Sequence, residues 1–176
     1  MNPEVSLLMD ALAVAIAAAV MDVQQHRIPN WLTYPAIVGG LLMRSYYYGW
    51  RGAMTALGGM LLTAGLAFVF YRVNALGGGD LKLLAALGSV VGPHHAVTIL
   101  LATGIAGGIL ALIYAGYHGR MRTTMGNVGS LLSFHATAGL QSHPEFNLDN
   151  PKALRMPYGL PIALGTFYAL ITVLGR

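Results

Sequence analysis

Cysteine is absent from the 176-residue chain and charge is scarce, with 9% of residues Asp, Glu, Lys or Arg against 56% hydrophobic. Without cysteine there is no disulfide framework, no thiolate zinc site and no thiol nucleophile. A soluble domain carries roughly 25% charged residues. So little charge cannot cover this much apolar sequence with a water-facing surface. The composition excludes an ordinary soluble enzyme and defines an integral membrane protein, in line with a mean hydropathy of +0.62.

Basic clustering is also missing. Lys and Arg total 10 and the net charge is +4, but these residues stand singly or in small pairs. Nucleic-acid binding needs a concentrated basic face, so nucleic acid is not an expected partner. Nor is there a basic leader: Glu4 and Asp10 are acidic, and the apolar run that follows reads as a retained first helix rather than a signal peptide.

What is there is apolar sequence in segments long enough to span, which takes about 20 residues. Candidates cover residues 5–21, 31–50, 53–71, 96–117 and 158–174. A further segment, 80–91, is about 18 Å long as a helix and cannot cross a core of about 30 Å unaided. It is expected to be short or tilted and shielded by its neighbours. The expected fold is therefore all-α: one domain over 1–176, a bundle of about six transmembrane helices, the fourth of them short.

With the N-terminus outside, Arg27, Arg72, Arg120, Arg122, Lys152 and Arg155 fall in inside loops and Lys82 lies near that face. Arg44, Arg51 and Arg176 are left outside, which satisfies the positive-inside bias. The polar stretch 118–156 becomes a cytoplasmic loop, with a mildly apolar centre at 128–140 suited to the membrane surface. Tyr46, Tyr47 and Tyr48 read as an interfacial belt where Arg44 snorkels to headgroups. Gly58–Gly59, and Gly104 with Gly108, mark close helix contacts.

Chemistry is narrowed by how few acids exist: Glu4, Asp10, Asp22, Asp80, Glu145 and Asp149. Ionisable groups at membrane depth are functional candidates. Glu145 and Asp149 fall in the polar loop and Glu4 is terminal. Asp10 and Asp22 share a helix but stand about 18 Å apart along its axis. Two crossings separate Asp22 from Asp80, so both return to the same membrane face, while Asp10 goes to the other. Asp22 precedes Ile28-Pro29-Asn30, where proline forces a turn. Asp80 follows three glycines and opens a helix, where a plain N-cap is its structural role.

Two carboxylates near one boundary suit amide hydrolysis by water: one takes a proton from water while the other donates to the scissile carbonyl. A transporter with acids along a pathway, or a non-catalytic assembly partner in the membrane, are the rival readings. Lys82 lies about 200° around a helix from Asp80 and has a structural or a substrate-contacting role. His94 and His95 lack a neighbouring carboxylate, and no HExxH-like spacing occurs, so no metal or other cofactor is expected.

Three segments carry a resemblance: Asp22 through Asn30, Gly77-Gly78-Gly79-Asp80-Leu81-Lys82-Leu83, and Pro157-Tyr158-Gly159-Leu160-Pro161. In this order they resemble the type IV prepilin peptidases, GxGD-type intramembrane aspartyl proteases. The resemblance implies that Asp22 and Asp80 form the catalytic pair at the cytoplasmic side of the bacterial inner membrane. Gly77 and Gly79 fill the motif glycines, Lys82 the lysine that follows, and Ile28, Pro29, Asn30, Pro157, Tyr158, Gly159 and Pro161 support the match. It implies as substrate a pilin or pseudopilin precursor, cut between a short basic leader and its hydrophobic helix. The chain looks like the compact form associated with Tad or Flp pili. It opens at the first helix without a paired-cysteine extension, so methyltransferase activity is not expected. The lipid bilayer is the other implied partner, and no oligomeric state is implied.

Overall fold

The computed structural model describes residues 2–119 and 156–175, with scattered positions between 126 and 139. Most of the loop expected at 118–156, including Arg120, Arg122, Glu145, Asp149, Lys152 and Arg155, lies outside the described residues, as does Arg176.

Helix α1 (Pro3–Gln25) starts where the Asn2 side chain accepts the Glu4 N–H at 3.1 Å, with proline in the first turn. It ends at His26, whose left-handed backbone (φ 50°) lets its N–H reach the Asp22 carbonyl at 2.8 Å. Leu8, Ala11, Ala15, Ala18 and Asp22 are its buried residues at helical spacing. That apolar stripe carries Asp22 into the bundle as its last member.

Helix α2 (Asn30–Arg72) begins directly after the extended Pro29, and α3 (Gly78–Tyr117) after Gly77. Helix α4 spans Gly159–Leu174. Four helices are thus described where the sequence leads one to expect about six segments. The reason is that single glycines bend α2 and α3: Gly49 (φ 60°, ψ −145°) and Gly92 (φ 74°, ψ 176°) take backbone angles that side chains disfavour.

Contacts across each bend show that the chain doubles back. The Arg44 Nε donates to Thr55 Oγ1 at 3.2 Å, although eleven residues of straight helix would span about 16 Å. Leu84 and Leu100, on either side of Gly92, line one common cavity. Each long helix is therefore bent at one glycine into two limbs that contact one another, and Pro93 opens the second limb of α3.

The short limb 78–91 occupies the centre. Residues 83–92 are buried without interruption, as a segment too short to face lipid alone requires. Backbones approach closely there: a Cβ on Gly59 would overlap the Gly88 carbonyl oxygen and lie 2.8 Å from Gly92 Cα. The expected contacts at Gly58, Gly104 and Gly108 do not form; a Cβ at these positions would meet nothing within 4 Å.

Arg44 turns inward rather than snorkelling outward. Its guanidinium donates to the Val90 carbonyl at 3.4 Å and lies 5.3 Å from the Tyr48 ring centre. Carbonyls at the end of a helical limb lack intrahelical partners, and the guanidinium supplies one. Three helices, α1 to α3, are long and apolar enough to cross a membrane, and α4 is a shorter apolar one. Large apolar residues such as Leu42, Leu61, Leu101 and Ile105 project outward. All described helices fit a membrane protein, and no strand occurs among the described residues.

Candidate functional site

Each of the three motif segments reaches the same end of the bundle, and each meets another through a specific contact. Asp22 is 8% exposed at the end of α1. Its Oδ2 accepts the backbone N–H of Gly159 at 2.8 Å. Gly159 is the first residue of α4, where N–H groups have no intrahelical acceptor and favour an anion. The absence of a side chain at 159 permits the approach: a Cβ would stand 3.0 Å from Ala19 Cα and 3.1 Å from Asp22 Cβ. Pro161 follows in the first turn of α4, a place where a missing N–H costs no helical hydrogen bond. It is fully buried.

Asp80 occupies the first turn of α3, and its Oδ2 accepts the Gly77 N–H at 3.2 Å. Asp80 is therefore not the N-cap expected from the sequence: Gly77 takes that place, and Asp80, at the third helical position, accepts the N-cap N–H with one oxygen. Asp22 and Asp80 are close enough for their charges to act on one another, and the Tyr158 phenol also lies within electrostatic reach of Asp80. Folding therefore brings Asp22 and Tyr158 each within electrostatic reach of Asp80. Asp10 is exposed, away from α1's buried stripe.

The Ile-Pro-Asn turn locks onto the glycine-rich one. Ile28 is buried, and a Cβ on Gly79 would come within 3.1 Å of Ile28 Cβ. Lys82 Nζ donates to Asn30 Oδ1 at 2.8 Å and lies 5.3 Å from the centre of the Tyr34 ring. Lys82 is thus engaged structurally, joining the first turns of α2 and α3. Tyr34 was not singled out from the sequence. Its only signal is the four-residue spacing from Asn30, which puts both on one helix face.

Chemically, this is a carboxyl pair at a helix-bundle end, with one oxygen of each aspartate fixed by a backbone N–H. No three His, Asp or Glu side chains gather as metal ligands among the described residues. At the opposite end, His95 Nε2 and Glu4 Oε2 are 3.9 Å apart.

An all-helical membrane bundle with two aspartates within electrostatic reach of one another at one end is the class that fold and site define. The model of the type IV leader peptidase family matches residues 10–112, and the chain belongs to that family. Among its relatives is a prepilin leader peptidase/N-methyltransferase of Burkholderia pseudomallei, 32% identical over 62% of this chain and 37% of its own length. Others with the same description come from Aeromonas salmonicida (30% identical, over 56% of this chain and 36% of the relative) and Legionella pneumophila (29%, over 65% and 42%). The chain matches well under half the length of each of these relatives. No solved structure gives a significant match.

Proposed function

We propose that this chain is an aspartic leader peptidase acting on type IV pilin or pseudopilin precursors, of the Flp kind. In this reading Asp22 and Asp80 are the catalytic residues. The bundle crosses the bacterial inner membrane six times, with the N-terminus periplasmic and the aspartates at the cytoplasmic face. The observation that carries the reading is the convergence of the three motif segments on a single carboxyl pair.

The reaction needs no cofactor. One carboxylate removes a proton from water as its oxygen attacks the carbonyl carbon between leader and helix. The other, protonated, donates to the carbonyl oxygen. Collapse of the tetrahedral diol then breaks the C–N bond, and the leaving amine takes a proton. The two carboxyls hold one proton between them and titrate as a unit. The Gly159 and Gly77 N–H groups each occupy one oxygen of the pair, leaving the others for water and substrate. The methyl transfer named for the relatives is not part of this proposal.

Co-expression with a tagged Flp-type precursor tests the assignment. Asp22→Asn and Asp80→Asn should each reduce processing by on the order of a thousandfold at normal membrane levels. Full processing by either variant removes that residue from the mechanism. A transporter or a non-catalytic assembly partner leaves the precursor uncut even with both aspartates present.

A further inference from the structure

Tyr158 lies just ahead of α4, and the carboxyl chemistry above makes no use of its phenol. Two contacts fix where that phenol stands. Its chain neighbour Gly159 is tied to Asp22 through the 2.8 Å N–H bond. Its ring rests on Gly107, a buried residue in the second limb of α3. A Cβ there would stand 3.3 Å from the phenol oxygen and 3.4 and 3.5 Å from Cε2 and Cζ.

Tyr158 also lines the cavity of about 290 Å³ that Leu84 and Leu100 share. Two lining residues bracket Asp80 in the chain. Leu76 precedes Gly77, whose N–H binds Asp80, and Leu84 stands one helical turn after Asp80 on the same face. The residue pair 158–159 therefore meets Asp22 through its backbone and faces the Asp80 side through its phenol.

Buried phenols usually find a hydrogen-bond partner. Among the described residues, no hydrogen bond engages the Tyr158 phenol. The neighbouring donors are committed: the Gly159 N–H to Asp22, the Gly77 N–H to Asp80, and the Lys82 ammonium to Asn30. Of these four donors the phenol alone has a hydrogen bond left to give.

We propose that the Tyr158 phenol donates a hydrogen bond to the scissile carbonyl oxygen as the tetrahedral diol forms, which makes Tyr158 a third catalytic residue. The inference rests on the leader-peptidase reading and adds a member to that same site. Attack by water places negative charge on the carbonyl oxygen, which then accepts more than one hydrogen bond. The protonated carboxyl supplies one and the phenol another. The phenol keeps its proton throughout, so no bond to it is made or broken and the proton balance of the carboxyl pair is unchanged. A neutral donor suits this place, because a cation would favour ionisation of both carboxyls and remove the proton they share.

The test uses the full chain in proteoliposomes with a purified Flp-type precursor. Tyr158→Phe removes the hydroxyl and keeps the ring on Gly107. In that variant kcat should fall on the order of a hundredfold, the scale on which loss of one oxyanion donor acts. KM should stay within about twofold, the pattern of a contact made only in the transition state, and the thermal transition should not move. Two non-cleavable peptides spanning the junction separate a contact with the reacting oxygen from a packing effect. One carries a hydroxyethylene unit, which keeps an oxygen on the former carbonyl carbon; the other carries a methyleneamine, which has none there. Tyr158→Phe should weaken inhibition by the first about tenfold and leave the second unchanged. The proposal is overturned by a rise in KM at constant kcat, by a lowered melting temperature that accounts for the loss, or by equal weakening of both peptides. If the phenylalanine variant processes precursor as well as the unsubstituted chain, Tyr158 leaves the mechanism and the peptidase reading stands. If the unsubstituted chain leaves the precursor whole, both fail.

Discussion

The Gly159 N–H donates to Asp22 Oδ2 at 2.8 Å, fastening the end of α1 to the start of α4 across 137 positions of chain. The contact needs a bare Cα at 159. Gly159→Ala would set a methyl 3.2 Å from the accepting oxygen and 3.0 Å from Ala19 Cα. Overpacking of this kind costs about 1–3 kcal/mol. Precursor processing should fall at least tenfold while the protein remains in the membrane, measured by cleavage and by immunoblot of membrane fractions. Normal processing by the alanine variant would remove this contact from the working site.

The glycine run before Asp80 is not uniform. A Cβ at Gly79 would meet Ile28 at 3.1 Å, whereas one at Gly78 would first meet the Tyr71 ring at 3.7 Å, ordinary van der Waals distance. Gly78→Ala is therefore expected to process precursor within about twofold of the parent, and Gly79→Val to lose tenfold or more, about 1.4 kcal/mol in the barrier. Equal tolerance at both positions would mean that the Ile28–Gly79 contact does not set the position of Asp80.

Lys82 and Asn30 act as a pair. The 2.8 Å bond between them is exposed to solvent, so each truncation should cost about 1 kcal/mol or less. Lys82→Met and Asn30→Ala should lower thermal stability by similar amounts, and the double variant should lose little more than either alone. Processing should follow stability. A deep loss of processing by Lys82→Met with unchanged stability would instead put the ammonium on the substrate.

The lack of native cysteine makes the proposed topology directly testable with introduced thiols. Arg27 and Trp50 are both exposed and flank the first limb of α2, Arg27 three residues before its start and Trp50 just past the bend at Gly49. Trp50→Cys should react with a membrane-impermeant maleimide in intact cells, and Arg27→Cys only after the inner membrane is opened. The reverse pattern would invert the orientation.

Much of this site was legible before any fold was known, for reasons that differ between residues. Asp22 and Asp80 stood out because acids are so few, and crossing parity put them on one face. Lys82 has both a structural and a substrate-contacting role open to it in the sequence, since its angle from Asp80 says nothing about what waits at that angle. Tyr34 carried no chemical signal, and its place beside Lys82 depends on how α2 and α3 pack. Arg44 misled: an arginine beside tyrosines at a helix end reads as a headgroup anchor, yet the bend at Gly92 brings the Val90 carbonyl within reach of its guanidinium.

The sequence alone determined the membrane class, the segments and the candidate acids, because hydropathy, charge and proline or glycine turns are local properties readable along one dimension. Tertiary structure decided which glycines admit a neighbouring helix, that each of two bends takes a single residue, and that Gly159 holds Asp22. Those outcomes depend on distances between residues far apart in the chain, fixed only when α1, α3 and α4 pack against one another.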